Sequence, residues 1–388
     1  MNPIRRSCQS ARLGLNPTVP IASGSRRAFS QCRACQRGSL PQFLTPSTPE
    51  LSTLLSRLNS KILLPAHLNH DQQLLVYKKK NQTRLEAETI NITLGEVTLP
   101  LEHIDRNRDI PNKWHTFKTV VEESSTPEDW ENVLRMVEGF QDASIQLPEG
   151  WMQKVVRRLN QAGMQHLVLK ALQRASATGM SLEDPAIAHF VMMGIHDKAA
   201  SSNWEKEETK KALSMAEQVV ELMERKEHLG RNDVLPGDLR SSPFVIAIPL
   251  EMAAVRVKKY TEGQDKDGKV ARYALKIMIA LEQDDWVKVS LAKELTAMTP
   301  SQGLRSAKDT LLNLRRRIWK LIPLWNALKT ANSVLGANMP MAKEAQKLVA
   351  NLRRGLADGE VSIDELTATK TEGYVRSVRK AIKDCEEL

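Results

Sequence analysis

A cluster of basic and aromatic side chains near the end of the chain carries the clearest chemical signature in the sequence. Arg315, Arg316 and Arg317 are followed by Trp319 and Lys320 on one predicted helix. Guanidinium groups contact phosphates through a planar fork, and a neighbouring indole stacks on an unpaired base or covers an arginine stem. The cluster therefore predicts a surface that binds nucleic acid or another acidic partner.

Further cations follow this cluster toward the C-terminus. The candidate binding residues are Arg315, Arg316, Arg317, Trp319, Lys320, Lys329, Arg353, Arg354, Arg376, Arg379 and Lys380. The alternative interpretation is an amphipathic core helix, because Leu314, Ile318 and Leu321 recur at helical spacing through the same run. The residues leave both interpretations open.

The positive charge of the chain is unevenly distributed. The formal net charge is +10 at pH 7, and five arginines but no acidic residue lie in residues 1–29. Residues 301–388 hold 16 Lys and Arg against 10 Asp and Glu, a net charge of +6, whereas residues 30–300 are close to neutral. A basic C-terminal segment favours an acidic partner such as RNA or a ribosome surface.

The sequence lacks the motifs of several common enzyme classes. It contains no glycine-rich phosphate loop, no His-Glu-x-x-His and no Gly-x-Ser-x-Gly. None of the histidines forms a ligand pair at helical spacing: His189 and His196 share a predicted helix face but lie two turns, about 10 Å, apart. We therefore predict a non-enzymatic protein with no catalytic, cofactor-binding or metal-binding residues, and core-edge or surface histidines.

Cys32 and Cys35 form a Cys-x-x-Cys pair close to the N-terminus. A zinc site needs four ligands, and a redox site needs a strand-to-helix context. Cys385 is far along the chain, and the residues flanking the pair are Arg, Ser, Gln and Pro. The pattern therefore favours neither a metal site nor a redox site.

The N-terminal segment has the composition of an import signal. Residues 1–49 contain seven arginines and many serines but no Asp, Glu or Lys, which is typical of a mitochondrial transit peptide. Arg27, Phe29 and Ser30 resemble a matrix-peptidase site with Arg three residues before the cut. We predict a presequence over residues 1–29 and a mitochondrial matrix location. No later run approaches the roughly 18 apolar residues of a membrane span.

Residues 30–115 are predicted to form two different segments. Residues 30–49 are polar and contain proline, which predicts a disordered leader. Residues 50–115 predict a small α+β module, with helices at 51–63 and 68–78. Alternating residues on either side of Gly95 then predict a β-hairpin within residues 85–104.

From Thr126 onward the sequence predicts helices. Thr126, Pro127 and Asp129 supply a cap hydroxyl, a proline in the first turn and a capping carboxylate. Later helices are predicted at 151–162, 165–178, 185–198, 206–228, 243–260, 269–284, 286–298, 306–335, 341–356 and 366–387. Short connections between such helices produce stacked hairpins. The predicted fold is mostly α, with an α-solenoid-like helical-hairpin domain over 126–300 and basic helices over 301–388.

One segment resembles the pentatricopeptide and related tetratricopeptide repeats of mitochondrial helical-repeat proteins. Residues 151–184 span 34 positions, near the repeat length of these families, with Asn160 and Gly163 ending the first helix and Thr178 and Gly179 following the second. Residues 185–230 and 243–284 keep the hairpin plan without the length or the signature. The resemblance implies stacked helical hairpins, but no regular series of base-reading positions is present.

Two functions are consistent with these features. The import signal, helices and basic C-terminal segment favour a protein of mitochondrial gene expression, either a mitochondrial ribosome component or assembly factor or an RNA-binding helical-repeat factor. The alternative is a protein-binding scaffold or assembly factor for a respiratory complex, which accounts better for the near-neutral residues 30–300.

Overall fold

The computed structural model of the chain describes residues 39–230, 233–235, 237–283, 291, 293, 307–367 and 372–388. Within these ranges the protein is mostly helical, as the sequence predicts. The α-helices are α1 Pro49–Leu58, α2 Leu64–His67, α3 His70–Tyr77, α4 Gln82–Ala87, α5 Lys113–Glu123, α6 Pro127–Asp142, α7 Trp151–Gln161, α8 Gln165–Gln173, α9 Ala175–Thr178, α10 Pro185–Ser201, α11 Lys206–Met223, α12 Pro243–Tyr260, α13 Lys269–Gln283, α14 Ala307–Leu335, α15 Ala342–Thr367 and α16 Glu372–Glu386. The helix predicted at 286–298 falls almost entirely outside the described residues.

The first helices lead into a short β-hairpin. α1 continues through a π-helical turn, Asn59–Leu63, into α2, where the sequence predicts a single helix. Strands β1 Asn91–Leu94 and β2 Val97–Pro100 pair antiparallel, with Leu94 opposite Val97. Gly95 in the turn has a φ of +65°, a conformation that glycine adopts without steric cost. The predicted hairpin is confirmed.

Residues 39–48 run over α6 without helix or strand structure, and we call them the N-terminal strap. Asn132 of α6 accepts a hydrogen bond from the Leu44 amide at 2.7 Å and donates one to the Leu44 carbonyl at 3.0 Å. Asp129 accepts from the Ser47 hydroxyl at 2.6 Å. The polar composition predicts a disordered leader here. Instead, the strap is held in place by hydrogen bonds to Asp129 and Asn132, which lie 82 or more positions later in the chain.

Helix α5 occupies residues 113–123, where the sequence analysis predicts no helix. Asn112 caps it by accepting hydrogen bonds from the amides of Trp114 and His115. Phe117 is buried, with its ring 5.5 Å from Phe140 of α6. Because α5 packs on both α1 and α6, it connects the N-terminal helices to those that follow. Contacts join Arg37–Leu388 into one compact unit.

The helices from α6 to α11 pack largely against helices that are close to them in sequence. α6 begins with the predicted capping box, in which Thr126 and Asp129 each accept from the other's backbone amide. α7 packs on α8, and α10 packs on α7 and α11. The predicted helix at 165–178 is interrupted at Arg174, between α8 and α9, and the predicted helix at 206–228 ends at Met223.

Helix α12 lies at the centre of the core. It packs against α10, α11, α13 and α14, and its buried side chains point to all sides. A helix that is apolar around its whole circumference has to be enclosed by other elements. One of those buried side chains is a carboxylate, Glu251.

The last three helices are joined to α12 through α14. α14 packs on α12 and continues through Pro323, while α15 and α16 both pack on α14. α15 extends to Thr367, past the predicted end at residue 356, because Leu352, Leu356 and Ile363 keep one buried face. None of the described helices is long and apolar enough to cross a membrane.

Candidate partner-binding surface

The basic and aromatic cluster lies on the first half of α14, and this helix has two faces. Ile318 and Leu321 are completely buried, whereas Arg316 is exposed and Lys320 is half-buried. Arg315, Arg317 and Trp319 are also half-buried. Both interpretations of the sequence therefore apply to one helix, which contributes to the core on one side and presents cations on the other.

Three of these cations line a groove about 630 Å³ in volume, which we call the α10–α14 groove. Arg316, Arg317 and Lys320 follow one face of α14 at helical spacing and form one wall. The other walls come from α10 and from the chain that leads into α12. These walls contribute mainly apolar side chains, namely Pro185, Ala186, Ala188, Met192, Met193, Leu239, Pro243, Phe244, Val245 and Ile248.

The aromatic groups near this groove are already in contact with the protein. The Lys320 ammonium lies 4.0 Å from the centre of the Phe244 ring, in a cation–π contact. Trp319 packs against the core, and its buried Nε1 has no hydrogen-bond partner among the described residues. Trp319 is predicted from the sequence to contact the bound partner. In the structure, much of its ring packs against the core.

Lys329 is bound to the end of α16. Its ammonium donates to the carbonyls of Cys385 and Glu386, at 2.6 and 3.1 Å, and lies 5.3 Å from the centre of the Trp325 ring. Burial lowers the pKa of Lys329, with a contribution from the nearby charge of Lys258. Lys329 therefore neutralises the carbonyl end of α16, which is a stabilising role for a cation.

The remaining candidate cations fall into two groups. Arg353 pairs with Glu386 at 2.9 Å, and the guanidinium of Arg379 pairs with Asp364. Arg354 and Lys380 are exposed. Arg376 belongs to α16, but its side chain lies outside the described part of the structure. The structure thus brings Arg316, Arg317 and Lys320 together at the groove, and Lys329 and Arg353 together at the end of α16.

A buried polar network joins α10, α12 and α14 beneath the groove helices. His196 Nδ1 lies 2.8 Å from one carboxylate oxygen of Glu251, and the Asn326 amide donates to the other oxygen at 2.7 Å. Thr330 donates to Asn326 at 3.3 Å. Burial alone lowers the pKa of His196, but the charge of Glu251 and its hydrogen bond outweigh burial, so this pKa is raised.

The sequence analysis missed this network because the pairs that join its helices, His196–Glu251 and Glu251–Asn326, lie 55 or more positions apart. His196 was predicted to be a core-edge or surface histidine, yet it is fully buried. A usable signal was present in Glu251, a single carboxylate within the apolar run 243–257, since a buried charge needs a partner.

A second buried histidine connects three segments of backbone. His228 Nδ1 accepts a hydrogen bond from the Leu182 amide at 3.1 Å, and His228 Nε2 lies 3.1 Å from the Leu172 carbonyl. Nε2 therefore carries the proton and donates it. Burial lowers the pKa of His228, because a charged ring at this site is poorly solvated.

No group of three or more potential metal ligands occurs among the described residues. Cys385 is buried, and burial raises the pKa of its thiol, which keeps it in the unreactive protonated form. The predicted cleavage site at Arg27, Phe29 and Ser30 lies outside the described residues, as do Cys32 and Cys35.

Comparison with known proteins places this architecture in a family. The model of the family described as mitochondrial ribosomal protein mS27 matches residues 27–381. The chain belongs to this family. The mS27 match includes the N-terminal strap, the buried network and the whole α10–α14 groove, whereas Cys385 and Glu386, which bind Lys329, lie past its end.

A curated relative extends this comparison. The small ribosomal subunit protein mS27 of Neurospora crassa is 24% identical to the chain over 288 residues, which are 74% of this chain. The match spans 65% of the length of that relative.

Proposed function

We propose that this chain is a protein of the mitochondrial small ribosomal subunit. The observation that carries the proposal is the match of the mS27 family over residues 27–381. The name of the relative from Neurospora crassa, small ribosomal subunit protein mS27, supports the same assignment. The comparisons do not favour a scaffold for a respiratory complex.

The role in the particle is structural and not catalytic. A ribosomal protein family supports this, and the helical core is organised around packing and hydrogen bonds within the chain. The location is the mitochondrial matrix, which the arginine-rich, acid-free residues 1–29 support. The partners are ribosomal RNA and neighbouring ribosomal proteins.

The C-terminal cations supply the electrostatic part of this assembly. Arg316, Arg354 and Lys380 are exposed, and the segment that contains them has a net charge of +6. Exposed cations on helices neutralise RNA phosphates and release bound counterions, which makes such contacts weaker as salt rises. Phosphate contacts of this kind position a protein on RNA without any base-specific contact.

We also propose that the helical region consists of stacked helical hairpins, as the resemblance of residues 151–184 to a pentatricopeptide unit implies. This proposal is supported by the packing of α7 on α8 and of α10 on α11, which gives consecutive helical pairs. Consecutive pairs provide extended surfaces for RNA or protein contacts without the geometry of an active site.

Sedimentation of a mitochondrial lysate tests the assignment. The tagged full-length chain is expressed in cells of its own organism, and the gradient is run with magnesium and again with a magnesium chelator. We expect the chain to co-sediment with small-subunit ribosomal RNA in both gradients, since dissociation of the two subunits leaves it on the small one. Sedimentation at the top of both gradients would contradict the proposal.

A further inference from the structure

The α10–α14 groove combines two features that one class of partner would match. Two of its walls are mainly apolar, and its third wall carries Arg316, Arg317 and Lys320. We propose that this groove binds an acidic amphipathic helix from a neighbouring protein. The proposal goes beyond the assignment to the ribosome, because binding of such a helix is a property of the purified chain.

The apolar walls favour a polypeptide. Met192 and Met193 are adjacent on α10, and Pro243 and Phe244 line the groove from the start of α12. Methionine is flexible and polarizable, so methionine-containing surfaces adapt to apolar side chains of different shapes. Grooves of this kind take up the apolar face of a helix through side chains at positions i, i+3 or i+4, and i+7.

The charged wall determines the sign of the charge that a bound partner carries. Asn313, Arg316, Arg317 and Lys320 occupy positions i, i+3, i+4 and i+7 of α14, so they span two turns, about 10 Å, along the groove. The described residues that line the groove include three cations and no Asp or Glu. Carboxylates one turn apart on a bound helix would meet this wall, and such complementarity fixes orientation and excludes basic partners.

The arrangement is less suited to a single-stranded RNA. RNA-binding grooves of this type use exposed aromatic faces on which bases stack. The aromatic rings that line this groove are those of Phe244 and His189. The Lys320 ammonium lies 4.0 Å from the centre of the Phe244 ring, and the His189 ring lies 5.6 Å from that of Phe190. Trp319 does not line the groove, since it packs against the core.

The groove volume of about 630 Å³ falls within the range of sites that enclose a compact ligand. It therefore takes a few apolar side chains from about two turns of a helix, while the rest of the partner stays outside. Contacts of this size suit an assembly in which many small interfaces add up.

Direct binding is measured first, by fluorescence anisotropy with the full-length chain. The probe is a labelled helical peptide with leucines along one face and glutamates one turn apart beside them. We expect binding to weaken about tenfold for Arg316→Glu, because one charge pair is reversed. Arg57→Glu, an exposed arginine on α1, is the matched control and leaves binding unchanged.

Two outcomes of the binding measurement would overturn the proposal. The first is equal binding of a peptide in which every glutamate is glutamine, since the cationic wall would then play no part. The second is displacement of the acidic peptide by a single-stranded oligoribonucleotide at lower concentration, which would assign the groove to RNA.

Photo-cross-linking in mitochondria identifies the occupant in the assembled state. A photoreactive amino acid replaces Met193 in the groove or, as control, Arg57 on α1. Cross-linking from position 193, but not 57, to a helix of another protein with adjacent apolar and acidic residues supports the proposal. Cross-linking to RNA, to the chain itself or to nothing would overturn it. A chain that still sediments with the small subunit in those cases keeps the proposed function intact.

Discussion

His196 and His228 are both buried, yet their surroundings shift their pKa values in opposite directions. Glu251 faces His196 and raises its pKa, whereas His228 meets only backbone groups at its ring nitrogens and burial lowers its pKa. The two rings therefore contribute to stability in different pH ranges. Variants at the two sites separate these contributions.

Glu251→Gln removes the carboxylate that pairs with His196. Because the folded-state pKa of His196 is raised, this pair stabilises fully below the unfolded pKa of about 6.5, and its contribution falls as the pH rises through the folded pKa. We expect a loss of about 3 kcal/mol in the free energy of unfolding at low pH, and a smaller loss at about pH 9. Urea denaturation at both pH values measures this. Glu365→Gln, an exposed glutamate, is the control, and an equal loss at both pH values would contradict the prediction.

His228→Ala leaves the Leu182 amide and the Leu172 carbonyl without their partner. We expect a loss of about 2 to 4 kcal/mol at neutral pH, since two buried backbone groups become unsatisfied. Because the folded-state pKa is lowered, the contribution of His228 is present above about pH 6.5 and is lost as the pH falls through the folded pKa. The loss measured by urea denaturation should therefore shrink at about pH 5. His70→Ala, at an exposed site, should show no such trend.

At the scale of elements, α7 and α10 pack tightly at Gly194. A Cβ atom added at Gly194 would lie 2.4 Å from the carboxamide of Asn160, which donates to the Phe190 carbonyl at 2.8 Å. We expect Gly194→Ala to lower the free energy of unfolding by about 2 kcal/mol, because the carboxamide has to move. Chemical denaturation measures this. In the double variant with Asn160→Ala the extra cost of the alanine at 194 should disappear, and additive losses would show that the contact is not the cause.

Asn132→Ala tests the attachment of the N-terminal strap to α6. The substitution removes both hydrogen bonds to the backbone of Leu44. We expect hydrogen exchange of the Leu44 amide to become about 10 to 100 times faster, while exchange in α12 stays unchanged. The same substitution at exposed Asn107 should change neither region. Unchanged exchange at Leu44 in Asn132→Ala would mean that other contacts hold the strap.

The elements that the sequence predicted are those with local signals. The hairpin follows from alternation around Gly95, and the start of α6 from Thr126 and Asp129. The strap was missed because its order depends on bonds to Asn132, far along the chain. Likewise the basic cluster was located correctly on α14, but the pairing of Lys329 with the end of α16 depends on tertiary packing that no local pattern encodes.

Over the whole molecule, the net positive charge outside residues 1–29 is concentrated in residues 301–388. Arg354→Glu combined with Lys380→Glu should weaken binding of the full-length chain to isolated small-subunit RNA at low salt, and the difference should narrow as salt rises. Filter binding at several salt concentrations measures this. Lys79→Glu combined with Lys80→Glu makes the same charge change on exposed N-terminal residues. An equal effect of both pairs would indicate dependence on net charge alone.

The hydrogen bonds of the N-terminal strap determine which positions can be substituted without loss of its attachment to α6. α6 holds it largely through backbone atoms, namely the amide and carbonyl of Leu44 and the carbonyl of Gln42, which Arg135 contacts. Almost any residue offers the same backbone atoms. Substitutions at positions 42 and 44 therefore preserve these hydrogen bonds, whereas a substitution of Asn132 or Arg135 removes a side chain that forms them. The path of the strap is encoded in a helix that begins almost 80 residues after it.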